Sequence, residues 1–377
     1  MFNQASRRGF LGAGIGLLGA GTAGAAPDKL EMPKRKLGKT GLTPTVLGFG
    51  CMTTSDPTVI EQAADAGINW FDTARGYQNG NNERMVGAAL KSRRDKLHIT
   101  SKTPAKTKAD AVANLDKTLG ELQTDHIDVW YLHSRSNPAA CPDELFDAQD
   151  EAVKAGKVRF KGVSFHSGHK EMIPFLMEKG RTDVILLSYN FTMDPELDAL
   201  IDKASAAGIG MVAMKVMAGG FRTAKPGTPM HEKMSRQGAP AAMLKWAVRR
   251  PSIHTSIPGI MDLDQLDENF KAVCAGYKKE LDDKVLAAQL KFISPLYCRF
   301  CGSCSGKCSQ GLPVSDLIRY VSYAEGYGEF ALGRENYLAL PEKLQSANCS
   351  DCSRCAVHCP NGVRVAERVA RAQELFA

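Results

Sequence analysis

The chain has 377 residues, 44% of them hydrophobic and 24% charged, with a formal net charge of +7. These are globular proportions that exclude wholesale disorder, and the length suits two domains or one large α/β barrel with an appendage. The positive charge is mild and scattered, and without an aromatic-interleaved basic stripe it gives no footprint for nucleic acid as a partner.

Residues 1–26 read as an export signal. Arg7 and Arg8 are the only charged residues before Asp28, and a Gly/Ala/Leu/Ile run follows them to Ala23-Gly24-Ala25. A basic pair, a short apolar run and small residues at a cleavage point are signal-peptide order. Arg7-Arg8-Gly9-Phe10-Leu11 resembles the twin-arginine type, which carries folded proteins across the bacterial inner membrane. The expectation is a periplasmic protein that meets a membrane only during export, with a mature chain near Ala26 carrying +5. An uncleaved anchor is the alternative, but the run is too Gly-rich for a stable span.

From 33 to 275, strand-like apolar runs alternate with helical sequence. The runs are Thr45–Cys51, Ile68–Thr73, Leu97–Lys102, Ile127–His133, Val158–Ser164, Val184–Tyr189, Met211–Val216 and Ile253–Pro258; Ala109–Leu119 and Ala239–Val248 are helical between them. Continuous Val/Ile/Leu runs suit strands buried on both faces. Eight such units predict a (β/α)8 TIM barrel. An open doubly wound sheet is the runner-up, but no Gly-x-Gly-x-x-Gly follows the first strand.

A barrel places its chemistry at the carboxyl ends of its strands. Strand two runs into Asp72 and Tyr77, strand three ends in Lys102, and strand four in His133. A carboxylate, a phenol, an ammonium and an imidazole together suit carbonyl reduction. Tyr77 would protonate the carbonyl oxygen, Lys102 would lower the phenol's pKa, Asp72 would hold Lys102, and His133 would orient the substrate. Each alone has a bland reading as a helix cap, a solvated lysine or a core histidine; their order along successive strand ends favours the catalytic one.

The stretch Gly67-Ile68-Asn69-Trp70-Phe71-Asp72-Thr73-Ala74, with Tyr77, Asn79-Gly80 and Asn82-Glu83, resembles the aldo-keto reductase signature, and the likeness spans roughly 33–275. It implies NADP(H) or NAD(H) as cofactor, a small-molecule carbonyl or alcohol as substrate, and Asp72, Tyr77, Lys102 and His133 as the catalytic tetrad. It also implies nucleotide contacts at Ser164, at Gly259 after Ser256-Ile257-Pro258, and at Glu268-Asn269 on the adenine. Departures fall in that pocket: Ser164-Phe165-His166 replaces Ser-Asn, Leu186 a glutamine, Met214 an aromatic, and Gly259 and Gln265 the basic residues at the 2′-phosphate. Met214-Lys215-Val216-Met217-Ala218-Gly219-Gly220 resembles the subgroup with a cysteine-rich tail, and leaves Lys215 two readings, a contact to the pyrophosphate or an ordinary strand-end lysine.

The Pro/Gly/Lys-rich run from Phe221 to Ala239 reads as a lid or a surface loop. His166-x2-His169 lacks a third metal ligand, so His166 is expected to face the substrate pocket. Cys51, Cys141 and Cys274 read as buried small hydrophobes.

Residues 290–377 carry Cys298-x2-Cys301-x2-Cys304-x3-Cys308 and Cys349-x2-Cys352-x2-Cys355-x3-Cys359-Pro360. This is the bacterial ferredoxin spacing twice, in which the fourth cysteine of each run ligates the other cluster. It predicts two 4Fe-4S clusters: Cys298, Cys301, Cys304 and Cys359 on one, and Cys349, Cys352, Cys355 and Cys308 on the other. Zinc and disulfides fit the spacing poorly. Ser309 stands where a proline is expected after Cys308, and Leu317–Ala324 and Phe330–Leu338 read as helices packing this small ferredoxin-like module onto the barrel. The combined expectation is an exported oxidoreductase with nicotinamide chemistry in the barrel, two clusters in the tail and a possible redox partner protein. The alternative is an electron-transfer protein whose barrel binds without hydride chemistry.

Overall fold

Eight parallel strands lie in one sheet in sequence order: β1 (Phe49–Gly50), β2 (Trp70–Asp72), β3 (His98–Thr103), β4 (Ile127–Leu132), β5 (Val158–Phe165), β6 (Val184–Ser188), β7 (Gly210–Met214) and β8 (Thr255–Ser256). The structure, a computed structural model, describes residues 30–220, 238–349 and 352–377. The segment read as an export signal and nearly all of the run read as a lid lie outside the described residues.

Every expected strand is present, but β1 and β8 are two-residue rungs within longer apolar runs. The ladder thins at the seam where the sheet returns on itself. There β8 meets β1 through single bridges, Leu47 to Ser256 and Gly50 to Gly259, with Gly48 N–H donating to Ser256 O at 2.8 Å. A Cβ on Gly48 would sit 2.8 Å from that carbonyl, so glycine sets how closely the two edges approach.

The alternating helices are α1 (Pro57–Asp65), α2 (Asn81–Leu90), α3 (Lys108–Leu122), α4 (Asp143–Lys154), α5 (His169–Lys179), α6 (Glu196–Ala206), α7 (Ala239–Val248) and α8 (Leu263–Ala275). β4, β6 and β7 are buried at every position, as strands enclosed on both faces must be. Trp70, Val129, Tyr131, Leu186 and Val212 are among the residues filling the barrel interior.

One buried carboxylate ties β3 to β4 near their amino ends. Asp128 accepts from Ile99 N–H at 2.9 Å and pairs with Arg94 at 2.9 Å and Arg159 at 2.7 Å. Burial opposes its charge, but His98, Arg94 and the Ile99 N–H outweigh it and hold the carboxyl at about 2. The folded value lies below the unfolded ~3.9, so Asp128 stabilises the fold at neutral pH by about 2 kcal/mol and loses this as pH falls toward 2. Urea unfolding of wild type and Asp128→Asn is expected to show a stability gap that closes between about pH 4 and pH 2.

After α9 (Lys279–Ile293) the chain forms a second apolar cluster from α10 (Val314–Glu325), α11 (Phe330–Leu338), α12 (Glu342–Gln345) and α13 (Val365–Phe376). Leu317, Ile318 and Val321 of α10 belong to it with Val369 and Phe376 of α13. Arg368 and Arg371 of α13 both reach Glu325 at 2.8 Å, fixing the two helices in register. Met52, just after β1, packs against the same cluster, so this module rests on the carboxyl-end face of the barrel.

Candidate active site

The β2 chain leaves the sheet at Asp72 and keeps pairing with β3 for two more rungs: Thr73 N–H donates to Thr100 O at 2.9 Å and Arg75 N–H to Lys102 O at 3.1 Å. It then turns sharply at Tyr77–Gly80, where Gln78, Asn79 and Gly80 all have positive φ, between 50° and 86°. Such backbone costs about 1–3 kcal/mol per non-glycine residue and persists where its surroundings over-determine it. Here the Asn82 side chain is one anchor, accepting from Thr73 Oγ1 at 2.6 Å and donating to Cys51 O at 2.8 Å. Another is the buried Arg75–Glu83 pair at 2.6 Å. A Cβ on Gly80 would meet Arg75 Nη2 at 1.9 Å. Gly80→Ala is therefore expected to lower Tm by several degrees and to displace Tyr77, seen as a fall in kcat.

Asp72 and Lys102 are buried side by side as an ion pair. Thr100 Oγ1 donates to the other carboxylate oxygen at 2.6 Å, and Lys102 Nζ also donates to Thr73 O at 2.6 Å. Burial alone would lower the Lys102 pKa, but Asp72 and the Tyr77 oxygen outweigh it and hold the ammonium above its usual value. Lys102 Nζ lies 4.9 Å from the Tyr77 ring centroid, and the His133 ring meets Tyr77 edge-on at 5.9 Å. The Tyr77 phenol is pushed up to about 12: burial raises it, Lys102 opposes, and Asp72 adds to the rise. This corrects the expectation that the ammonium would dominate, because withdrawal from water is the larger effect. His133 is driven well below 6.5 by burial and by Lys102, Arg135, Arg319 and Lys215, so its imidazole is neutral.

Asp72, Tyr77 and His133 line a cavity of about 330 Å³ at the carboxyl ends of the strands. His166, Met214, Lys215 and Gly259 line it too. The His166 ring nitrogen Nδ1 is 3.1 Å from Ser188 Oγ. Ser164 is buried below the cavity, its hydroxyl accepting from Ser134 N–H at 3.0 Å and donating to Leu132 O at 3.3 Å. Leu186 belongs to the apolar barrel interior. Glu268 and Asn269 stand on α8 and do not line the cavity.

The second module completes the cavity. Arg319 and Tyr323 of α10, Tyr327 just beyond it, and Leu332, Glu335 and Asn336 of α11 line it opposite the strand ends. Sequence reasoning expected these helices to pack on the barrel but missed that they carry part of its site. The available signal was an arginine and three tyrosines, Arg319, Tyr320, Tyr323 and Tyr327, crowded into nine residues of one helix and its exit.

The cysteines fall into two groups. Cys298 has Cys304, Cys301 and Cys359 as its electrostatic neighbours; Cys349 has Cys355, Cys308 and Cys352. The fourth cysteine of each run thus stands with the other run's triplet. No three of these thiols converge as on a single metal ion among the described residues. Donors surround the sulfurs: Asn361 Nδ2 lies 3.3 Å from Cys301 Sγ, while Ser309 Oγ and Gln310 Nε2 lie 3.5 and 3.8 Å from Cys352 Sγ. Ser309, in the place expected for proline, so contributes a hydroxyl that a proline lacks. Eight sulfurs in two open quartets with outer hydrogen bonds fit iron-sulfur cubanes. Phe300, inside the first loop, sets its ring 6.1 Å from His166 of the cavity. Of the remaining thiols, Cys51 and Cys141 are buried as expected, and Cys274 is half-buried on α8.

The sequence pattern of the aldo/keto reductase family matches residues 53–288, which spans the seven strands from β2 to β8. The chain belongs to the aldo/keto reductase family. In this aldo/keto reductase the pattern of a 4Fe-4S dicluster domain matches residues 297–368. Similar curated proteins are the uncharacterized oxidoreductase YqkF of Bacillus subtilis (27% identity, 69% of this chain and 97% of that one) and the L-galactose dehydrogenase of Arabidopsis thaliana (24%, 71% and 96%). Among solved structures, the holo form of aldo-keto reductase AKR11C1 from Bacillus halodurans is similar with a TM-score of 0.59 at 24% identity, covering 68% of this chain and 96% of that one. The thermostable aldo-keto reductase Tm1743, solved with the inhibitor epalrestat, gives 0.55 at 26%, covering 68% and 99%. These relatives are matched almost whole, while about a third of the present chain lies outside the matches. It is an oxidoreductase of this family with an iron-sulfur domain added.

Proposed function

We propose that this aldo/keto reductase interconverts a carbonyl compound and its alcohol at Tyr77 with a nicotinamide nucleotide, and that its tail holds two 4Fe-4S clusters. The observation that carries the reading is the convergence of Asp72, Lys102, Tyr77 and His133 at one cavity. The cavity continues from Tyr77 to Ile257, Pro258 and Gly259 at the end of β8, and a Cβ on Gly259 would come within 2.6 Å of Thr53 Oγ1. Gly259 and Lys215 both line this cavity, and backbone with a cation suits a nucleotide; Leu186 and Met214 leave the ring without the amide and aromatic contacts that the family resemblance implies.

When bound in its reduced form, the nucleotide would supply one hydride, and with it both electrons. The chain's own residues then hold and move the proton. Neutral His133 donates a hydrogen bond to the carbonyl oxygen, and Tyr77 gives that oxygen its phenolic proton as the carbon is reduced. Lys102 stabilises the phenolate left behind, while Asp72, Thr100 and the Thr73 carbonyl keep Lys102 from swinging away. The alcohol leaves, and solvent returns a proton to Tyr77.

Clusters held by the two cysteine quartets carry electrons singly, and Phe300 makes the first quartet's loop a neighbour of the cavity. We also propose export of the folded, cluster-loaded chain by the twin-arginine route, on the strength of Arg7-Arg8 and of cofactors inserted before transport. Protein purified without air should release close to one nucleotide per chain on denaturation and consume NADPH or NADH with a carbonyl panel. Full iron content with neither bound nucleotide nor nucleotide-dependent reduction would overturn the hydride reading in favour of an electron-transfer protein.

A further inference from the structure

Two cations face the catalytic cavity from opposite modules. Lys215 follows β7 in the left-handed region, at φ 57°, and Arg319 projects from α10. The Arg319 side chain is only 15% exposed, and its Nε is buried without a hydrogen-bond partner. Its one carboxylate among the described residues is Asp316, 2.9 Å away and 42% exposed on the same helix. Lys215 has no carboxylate partner among the described residues; its ammonium lies 4.6 and 5.1 Å from the ring centroids of Tyr323 and Tyr327, and it hydrogen-bonds the Tyr323 hydroxyl, whose pKa burial raises but Lys215 and Arg319 bring below its usual value. Asp72 is taken by Lys102, and Glu335 is exposed at the rim. Both cations push His133 and His166 down after burial has done so, which marks a positive field across the cavity. Lys215 has no carboxylate and Arg319 shares only the half-exposed Asp316, so buried positive charge remains that an anion entering the cavity would relieve.

We propose that the cavity takes a carbonyl substrate bearing a carboxylate, an oxo acid in the reducing direction and a hydroxy acid in the other. Arg319 and Lys215 grip the carboxylate while the carbonyl is presented to Tyr77. The planar guanidinium fork matches a carboxylate. The tyrosine rings give the carbon chain apolar walls. The second module is then a specificity element for the barrel, since half of the grip comes from α10. This rests on the carbonyl chemistry proposed above, with nucleotide phosphates as the competing claimants for the same cations.

The test uses the full cluster-loaded chain, without air. Calorimetry and ligand-observed NMR compare 2-oxobutyrate, neutral 2-butanone and inorganic pyrophosphate on wild type, Arg319→Met, Arg319→Lys and Lys215→Met, with iron content checked for each variant. The expected result is 2-oxobutyrate binding that exceeds 2-butanone by about 30-fold or more, falls by a similar factor in either Met variant and returns in part in Arg319→Lys. Equal binding of the two carbonyl compounds would overturn the proposal. So would tight pyrophosphate binding, displaced by NADPH and lost in Arg319→Met, with no 2-oxobutyrate binding, since the pair would then be a phosphate site. If a Met variant loses iron, the comparison with Arg319→Lys and among wild-type ligands decides. Reduction of 2-butanone by wild type reports on the carbonyl chemistry separately, so failure of that reading is distinguishable from failure of this one.

Discussion

Tyr77→Phe is expected to lower carbonyl reduction by roughly 10²–10⁴-fold while leaving cluster absorbance and thermal unfolding close to wild type. The ring stays and only the transferable proton goes. Lys102→Met should be comparably inactive but less stable, because it leaves Asp72 buried without its partner. Steady-state rates and unfolding curves on the same samples separate the two effects. The pH profile gives a further check. A phenol pushed up to about 12 remains protonated through neutral and mildly alkaline solution, so reduction should be flat there and decline only as pH approaches that value. Alcohol oxidation needs the phenolate and should rise with pH over the same range. A reduction limb falling near pH 7 would assign the proton to another group, and an active Tyr77→Phe protein would remove Tyr77 from the chemistry.

The cysteine quartets predict an equally large effect on metal content. Cys359→Ala is expected to lose the cluster of Cys298, Cys301 and Cys304, and Cys308→Ala the cluster of Cys349, Cys352 and Cys355, each leaving about four of eight irons. The pairing is tested by double variants. Cys359→Ala with Cys298→Ala should lose no more iron than either alone, whereas Cys359→Ala with Cys352→Ala should lose both clusters. The reverse pattern would mean that each run ligates its own cluster. Electron paramagnetic resonance of the reduced singles should show one cluster signal in place of two interacting ones.

Much of this was legible from residue order. Buried parallel strands leave long Val/Ile/Leu runs, and the first polar residue after such a run marks the barrel's open end; Asp72, Lys102 and His133 were found in that way. Tyr77 was found five residues beyond Asp72, but its elevated pKa was not, because the balance between burial and Lys102 depends on how completely the second module shuts out water. The short β1 and β8 were hidden for a related reason: apolar character reports burial, not how many rungs of a ladder form at a seam. Arg319 and Tyr323 reach the site from about 190 residues beyond His133, a contact that no local pattern encodes. The grouping of Cys308 and Cys359 with the opposite runs was expected from spacing alone, since three closely spaced thiols leave each cubane one corner to be filled from elsewhere.

The placement of α10 and α11 across the strand ends has a consequence for how the protein matures. The helices that complete the cavity lie between the two cysteine runs, so clusters bound there would brace them from both ends in addition to their apolar packing. A chain starved of iron would hold its barrel residues in order but would lack that bracing of Arg319, Tyr323 and the far wall of the cavity. Catalytic competence would then follow metallation, and a cell would gain full reductase activity from this polypeptide only in step with its supply of iron.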